Sequence, residues 1–106
     1  MATFRLTDDN FDDTLQNNEL VIVDFWAAWC TTCSSFAPIY VQISDNYPDI
    51  IFGKVNTQYE QTVSAKYRIQ SIPTLIGFKN GVEVYRKPGA IAGQVLDEIV
   101  SELRTI

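Results

Sequence analysis

The run Leu20-Val21-Ile22-Val23-Asp24-Phe25-Trp26 is the strongest constraint on how this chain can fold. Successive side chains of a strand point to opposite faces, so a strand that is apolar at consecutive positions must be covered on both sides. A single carboxylate, Asp24, interrupts the run. The chain then passes through Ala27-Ala28-Trp29 into Cys30-Thr31-Thr32-Cys33, which holds the only two cysteines of the protein.

The segments on either side repeat this alternation of apolar runs and helical spacings. Thr3–Leu6 reads as a short edge strand, and Thr7 or Asp8 is placed to cap a helix whose Phe11 and Leu15 share one face. Asn17-Asn18 ends it. After Cys30, apolar residues at Phe36, Ile39, Tyr40, Ile43 and Tyr47 predict a helix to about Tyr47, with a kink at Pro38. Ile50–Asn56 reads as a second buried strand, and Tyr59, Val63 and Tyr67 as a short helix. Thr74–Lys79 and Val82–Lys87 flank Asn80-Gly81, the signature of a two-residue hairpin turn. Ala92, Val95, Leu96, Ile99, Val100 and Leu103 predict a terminal amphipathic helix. The order β-α-β-α-β-α-β-β-α defines an α/β fold with a parallel portion of sheet, an antiparallel hairpin, and helices on both faces.

At 106 residues one domain, 1–106, is expected. A net charge of −5, with eight basic residues dispersed, opposes a nucleic-acid surface. No apolar run approaches the roughly 20 residues that span a bilayer. The N-terminus lacks the basic and apolar regions of a signal peptide, so a cytoplasmic monomer away from membranes is expected.

Cysteines three apart at a helix start can close as a disulfide and reopen as a dithiol. The first thiol meets the unpaired N–H groups and positive end of the helix, which favour a thiolate. Cys30 is therefore the expected nucleophile and the more exposed sulfur, and Cys33 the resolving thiol one turn deeper. A zinc half-site or an inert core pair are the structural alternatives, the former opposed by the absence of histidine and of further cysteines. Asp24 reads equally well as a strand-end acid facing solvent or as a buried acid exchanging a proton with Cys33. Lys54, on the neighbouring strand, is placed to hold the charge of Asp24 by a direct or water-mediated contact. Pro73, before a strand, is by itself an ordinary turn proline in the trans form.

The chain carries Asp24-Phe25-Trp26-Ala27-Ala28-Trp29-Cys30, Cys33, Pro38, Lys54-Val55-Asn56, Ile72-Pro73-Thr74-Leu75, Phe78-Lys79-Asn80-Gly81 and Gly89-Ala90 in that order and spacing. On these residues it resembles the thioredoxin family from Phe4 to Leu103. The resemblance implies a thioredoxin fold, a central five-stranded mixed sheet flanked by four helices. It implies a protein disulfide reductase cycling Cys30 and Cys33 through a mixed disulfide, with no cofactor beyond the redox-active disulfide. It also implies a cis bond before Pro73 and an apolar docking surface of Trp29, Ile72, Pro73, Gly89 and Ala90 around Cys30. Asp24 and Lys54 would take the proton-transfer roles. Disulfide-containing proteins would be substrates and a thioredoxin reductase the electron donor.

The chain departs from the family in carrying Thr31-Thr32 where Gly-Pro is usual, and Ser34 where a lysine is common. Thr32 restores an N–H that proline lacks, expected to point at the Cys30 sulfur and make the disulfide more oxidising. Two readings from other classes compete. One is a dimer bridging an iron–sulfur cluster with four thiolates; the other is a non-catalytic module that holds partners on the same surface.

Overall fold

The computed structural model describes residues 3–106. Its elements follow the order β1 (Thr3–Arg5), α1 (Phe11–Asn17), β2 (Leu20–Trp26), α2 (Thr31–Ser44), β3 (Ile51–Asn56), α3 (Gln61–Lys66), β4 (Thr74–Lys79), β5 (Val82–Pro88) and α4 (Gly93–Arg104). The five strands lie in one sheet in the order β1-β3-β2-β4-β5. β2 is central, parallel to β3 and antiparallel to β4, as a strand buried on both faces requires. Asn80 and Gly81, both with positive φ (53° and 81°), turn β4 into β5.

The period of two sorts the β2 side chains between two cores. Ile22, with Phe52 and Leu75, packs against Phe36, Tyr40 and Ile43 of α2 and Leu96, Val100 and Leu103 of α4. Val21, Val23 and Phe25 face the other way, onto Phe11 and Leu15 of α1 and Val63 of α3. The apolar spacing located the buried faces of α1 and α2 and, through Leu96, Val100 and Leu103, that of α4, but Val95 on the same spacing is exposed, and several element ends fell elsewhere.

Those ends moved for local reasons. α1 begins at Phe11, after Asn10, because Thr7 and Asn10 satisfy each other: the Thr7 N–H donates to Asn10 Oδ1 at 2.7 Å and the Asn10 N–H to Thr7 Oγ1 at 3.2 Å. Asp8 caps α3 instead, its carboxylate accepting from the Val63 N–H at 2.8 Å. Tyr59 lies outside α3 and is exposed, so the Tyr59–Val63–Tyr67 spacing overran the helix. α2 continues past Pro38 but stops at Ser44 rather than Tyr47. The chain there tightens into i to i−3 bonds, from the Asn46 N–H to Ile43 and from the Tyr47 N–H to Ser44, ahead of Pro48, which disfavours helix at its predecessor.

One side chain ties α2 to the sheet. The buried Tyr40 hydroxyl lies 3.0 Å from the Ile22 carbonyl oxygen and 2.7 Å from that of Gly53, one on β2 and one on β3. A hydroxyl donates one hydrogen at a time, so the two carbonyls share it. Tyr40→Phe removes this link and adds no volume. We expect a loss of about 1–3 kcal/mol of stability, read as a lower urea midpoint; an unchanged midpoint would show that the link holds nothing.

Candidate active site

Cys30 and Cys33 are joined as a disulfide at the start of α2. Cys30 is the N-cap, with extended backbone (φ −92°, ψ 110°), and its Sγ accepts the Cys33 N–H at 3.1 Å. This corrects the expectation for Thr32. A cap side chain reaches the third helical residue here, so the N–H on the sulfur is one that any residue at position 32 would leave in place. Thr31 and Thr32 are exposed on the first turn. Both sulfurs are buried, Cys30 at 7% exposure and Cys33 at 3%, so the order of depth is as expected but neither stands open. Ala27, Trp26 and Ile72 close around them.

The Ile72–Pro73 bond is cis, and the Ile72 carbonyl oxygen lies 3.8 Å from Cys30 Sγ. The Gly89 N–H donates to the Pro73 carbonyl at 2.7 Å, which draws the connection between β5 and α4 to the same place. Gly89 does this at φ +89°, a conformation open to glycine. Trp29 is 69% exposed, Gly89 and Ala90 are exposed, and Ile72 is half-buried against the cysteines. Pro73 is buried, so it supports this surface from beneath rather than presenting its ring.

Asp24 is buried, and neither of its carboxylate oxygens has a hydrogen-bond partner among the described residues. The solvent-facing reading is therefore excluded. Asp24 shares its face of β2 with Ile22, which accepts the Tyr40 hydroxyl, and with Trp26, which packs on the cysteine cluster. α2 thus runs back along β2, and Asp24 lies at a level between Tyr40 and Cys33. Its register partners are Lys54 on β3 and Leu75 on β4. Lys54 does not make the expected direct contact: its ammonium sits over the Trp26 ring, 4.9 Å from the centroid. Burial pushes the Asp24 carboxyl up from 3.8 to about 7, with the Lys54 charge opposing the rise. The sequence marked Tyr40 only as an apolar position; its hydroxyl's place on two strands had no signal in the spacing.

A redox disulfide capping a helix at the end of a central strand, beside a cis proline, defines a thiol–disulfide oxidoreductase. The thioredoxin family profile matches residues 2–102. The chain is 39% identical to the thioredoxin of Buchnera aphidicola, over 92% of this chain and 93% of that one. It is 38% identical to the thioredoxin of Porphyra purpurea, over 96% and 97%. A solved structure of Plasmodium falciparum thioredoxin superposes with a TM-score of 0.88 at 36% identity, covering 94% of this chain and 98% of that chain. The chain belongs to the thioredoxin family, and its fold is the thioredoxin fold, a five-stranded mixed sheet with four helices. It is a thioredoxin-type thiol–disulfide oxidoreductase whose redox group is the Cys30–Cys33 disulfide. Among the described residues no helix is long and apolar enough to cross a membrane.

The raised Asp24 pKa has a consequence for stability. Between 3.8 and about 7 the folded chain keeps a proton that the unfolded chain has released, so the wild type loses stability as pH rises through this window. Asp24→Asn has no charge to lose. Its stability relative to wild type is expected to rise by on the order of 4 kcal/mol between about pH 4 and pH 8. Urea unfolding at several pH values measures this, and a difference constant with pH would mean that Asp24 titrates like a surface acid.

Proposed function

We propose that the chain reduces protein disulfides, with Cys30 as nucleophile and Cys33 as resolving thiol. The position of Cys30 as the N-cap of α2, its sulfur on a helix N–H, is the observation that carries the assignment. In the dithiol state the same N–H and the helix dipole favour the Cys30 thiolate. The Cys30 thiolate attacks one sulfur of the substrate disulfide, that bond breaks, and the other substrate sulfur leaves as a thiolate and takes a proton from solvent. Cys33 then gives its proton to the Asp24 carboxylate and attacks Cys30 Sγ. The mixed disulfide breaks, the second substrate thiolate departs, and Cys30–Cys33 is oxidised.

Asp24 suits this step because burial holds its pKa at about 7, where it can both take and return a proton near neutral pH. Lys54 opposes that shift through space rather than by contact. Trp29, Ile72, Gly89 and Ala90 supply the apolar surface for an extended substrate segment, with Pro73 beneath and the Ile72 backbone beside the sulfur. Thr31 and Thr32 are the exposed residues between the two cysteines. Residues 1–106 act as one thioredoxin unit, a cytoplasmic monomer, with a thioredoxin reductase as electron donor.

Insulin reduction followed by turbidity, with dithiothreitol as the donor, tests these roles. In a separate trapping experiment, with the variants reduced beforehand and dithiothreitol removed, Cys33→Ser should accumulate a stable mixed disulfide with insulin chains, visible on non-reducing gels, while Cys30→Ser should form none. Trapping by Cys30→Ser instead would reverse the two assignments. Asp24→Asn should slow release from the mixed disulfide on the order of 10²-fold at neutral pH and leave its formation unchanged. Equal rates in wild type and variant would remove Asp24 from the proton transfer.

A further inference from the structure

We propose that a groove at the β1 edge of the sheet, next to the redox site, binds a small aromatic anion: a flat ring system carrying one oxyanion group. The groove has a volume of about 460 Å³ and is lined by Thr3, Phe4, Arg5, Trp26, Lys54, Asn56 and Tyr59. That volume lies within the roughly 300–1,000 Å³ of small-molecule sites.

Two independent features define the ligand. The first is charge. The chain carries a net charge of −5, yet the described residues lining the groove include two cations, Arg5 and Lys54, and no carboxylate. Arg5 and Lys54 are register partners on β1 and β3, so the pair is built into the sheet. Neither cation is closely neutralised. Among the described residues Arg5 reaches only Glu60, at 3.9 Å, and the other oxygen of that carboxylate already accepts the Asp8 N–H at 3.0 Å. Lys54 rests over the Trp26 ring. A guanidinium fork and an ammonium on one groove suit a planar or tetrahedral oxyanion.

The second feature is aromatic surface. Phe4 and Tyr59 are 51% and 73% exposed, and both line the groove together with the half-buried Trp26. Exposing two large rings costs solvation free energy unless a ligand covers them, and rings prefer offset-stacked or edge-on partners. An aliphatic anion would leave this surface uncovered, and a neutral aromatic would leave the cations unmatched. Because Trp26 also packs on the cysteine cluster, an occupied groove touches a wall of the redox site.

Titration calorimetry with 2-naphthalenesulfonate, whose charge does not change with pH, tests the site on the whole oxidised protein. Its neutral analogue 2-naphthalenesulfonamide is the control. We expect saturable one-to-one binding of the sulfonate with a shift of the Trp26 indole N–H resonance, and about tenfold weaker binding of the sulfonamide. Arg5→Gln and Tyr59→Ala, both at exposed positions outside the dithiol machinery, should each weaken the sulfonate about tenfold. Both should reduce insulin at the wild-type rate, which reports an intact fold and separates this site from the redox roles above. Equal affinity for the two probes would overturn the anionic assignment. Binding indifferent to both substitutions would overturn the location, and no saturation below about 10 mM would overturn the site itself.

Discussion

The burial of β2 on both faces is the constraint on which the rest of this structure depends. A strand with apolar side chains on each side needs two separate cores, and the chain builds one from α2 and α4 and the other from α1 and α3. It needs neighbours on both edges, which β3 and β4 provide. Its C-terminal end then emerges at one edge of the packed layers, where Trp26 and Ala27 hand the chain to the Cys30 cap. The strand that delivers the redox pair is buried at every position but its last.

Against that background Asp24 is costly. A carboxylate without hydrogen-bond partners in a dry layer destabilises its charged form, and here that cost appears as a pKa moved to about 7. The same burial that lowers stability as pH rises from 3.8 to about 7 is what the proposed mechanism uses, since it leaves a carboxyl that exchanges its proton near neutrality. Lys54 moderates the effect at a distance while its ammonium is held by the face of Trp26. Stability and the proposed proton chemistry are thus two readings of one desolvated group.

Much of this was legible because each signal was local. The continuous run Leu20–Trp26, the Asn80-Gly81 turn and the Leu96–Val100–Leu103 spacing each depend on neighbours within one element, and each element formed where its pattern lay. What failed depended on partners far along the chain. Asp8, four positions from Asp12, was expected to serve α1 and instead caps α3 more than fifty residues away, at Val63. Thr32 was expected to supply an N–H to Cys30, but cap geometry selects Cys33. Tyr40 was read as one more apolar position, and its hydroxyl in fact meets carbonyls on two strands.

The sequence by itself determined the element order, the burial of β2 on both faces, most of the buried face of α1, α2 and α4, and the pairing of a dithiol with a helix start. These follow from side-chain periodicity and from spacings of a few residues, which the chain carries without reference to its fold. Only the tertiary structure decided whether Asp24 faced water or the core, that Lys54 sits on Trp26 rather than on the carboxylate, and that Pro73 is buried rather than presenting its ring. Those are questions of desolvation and of register between strands, and neither exists until separate segments are packed against one another.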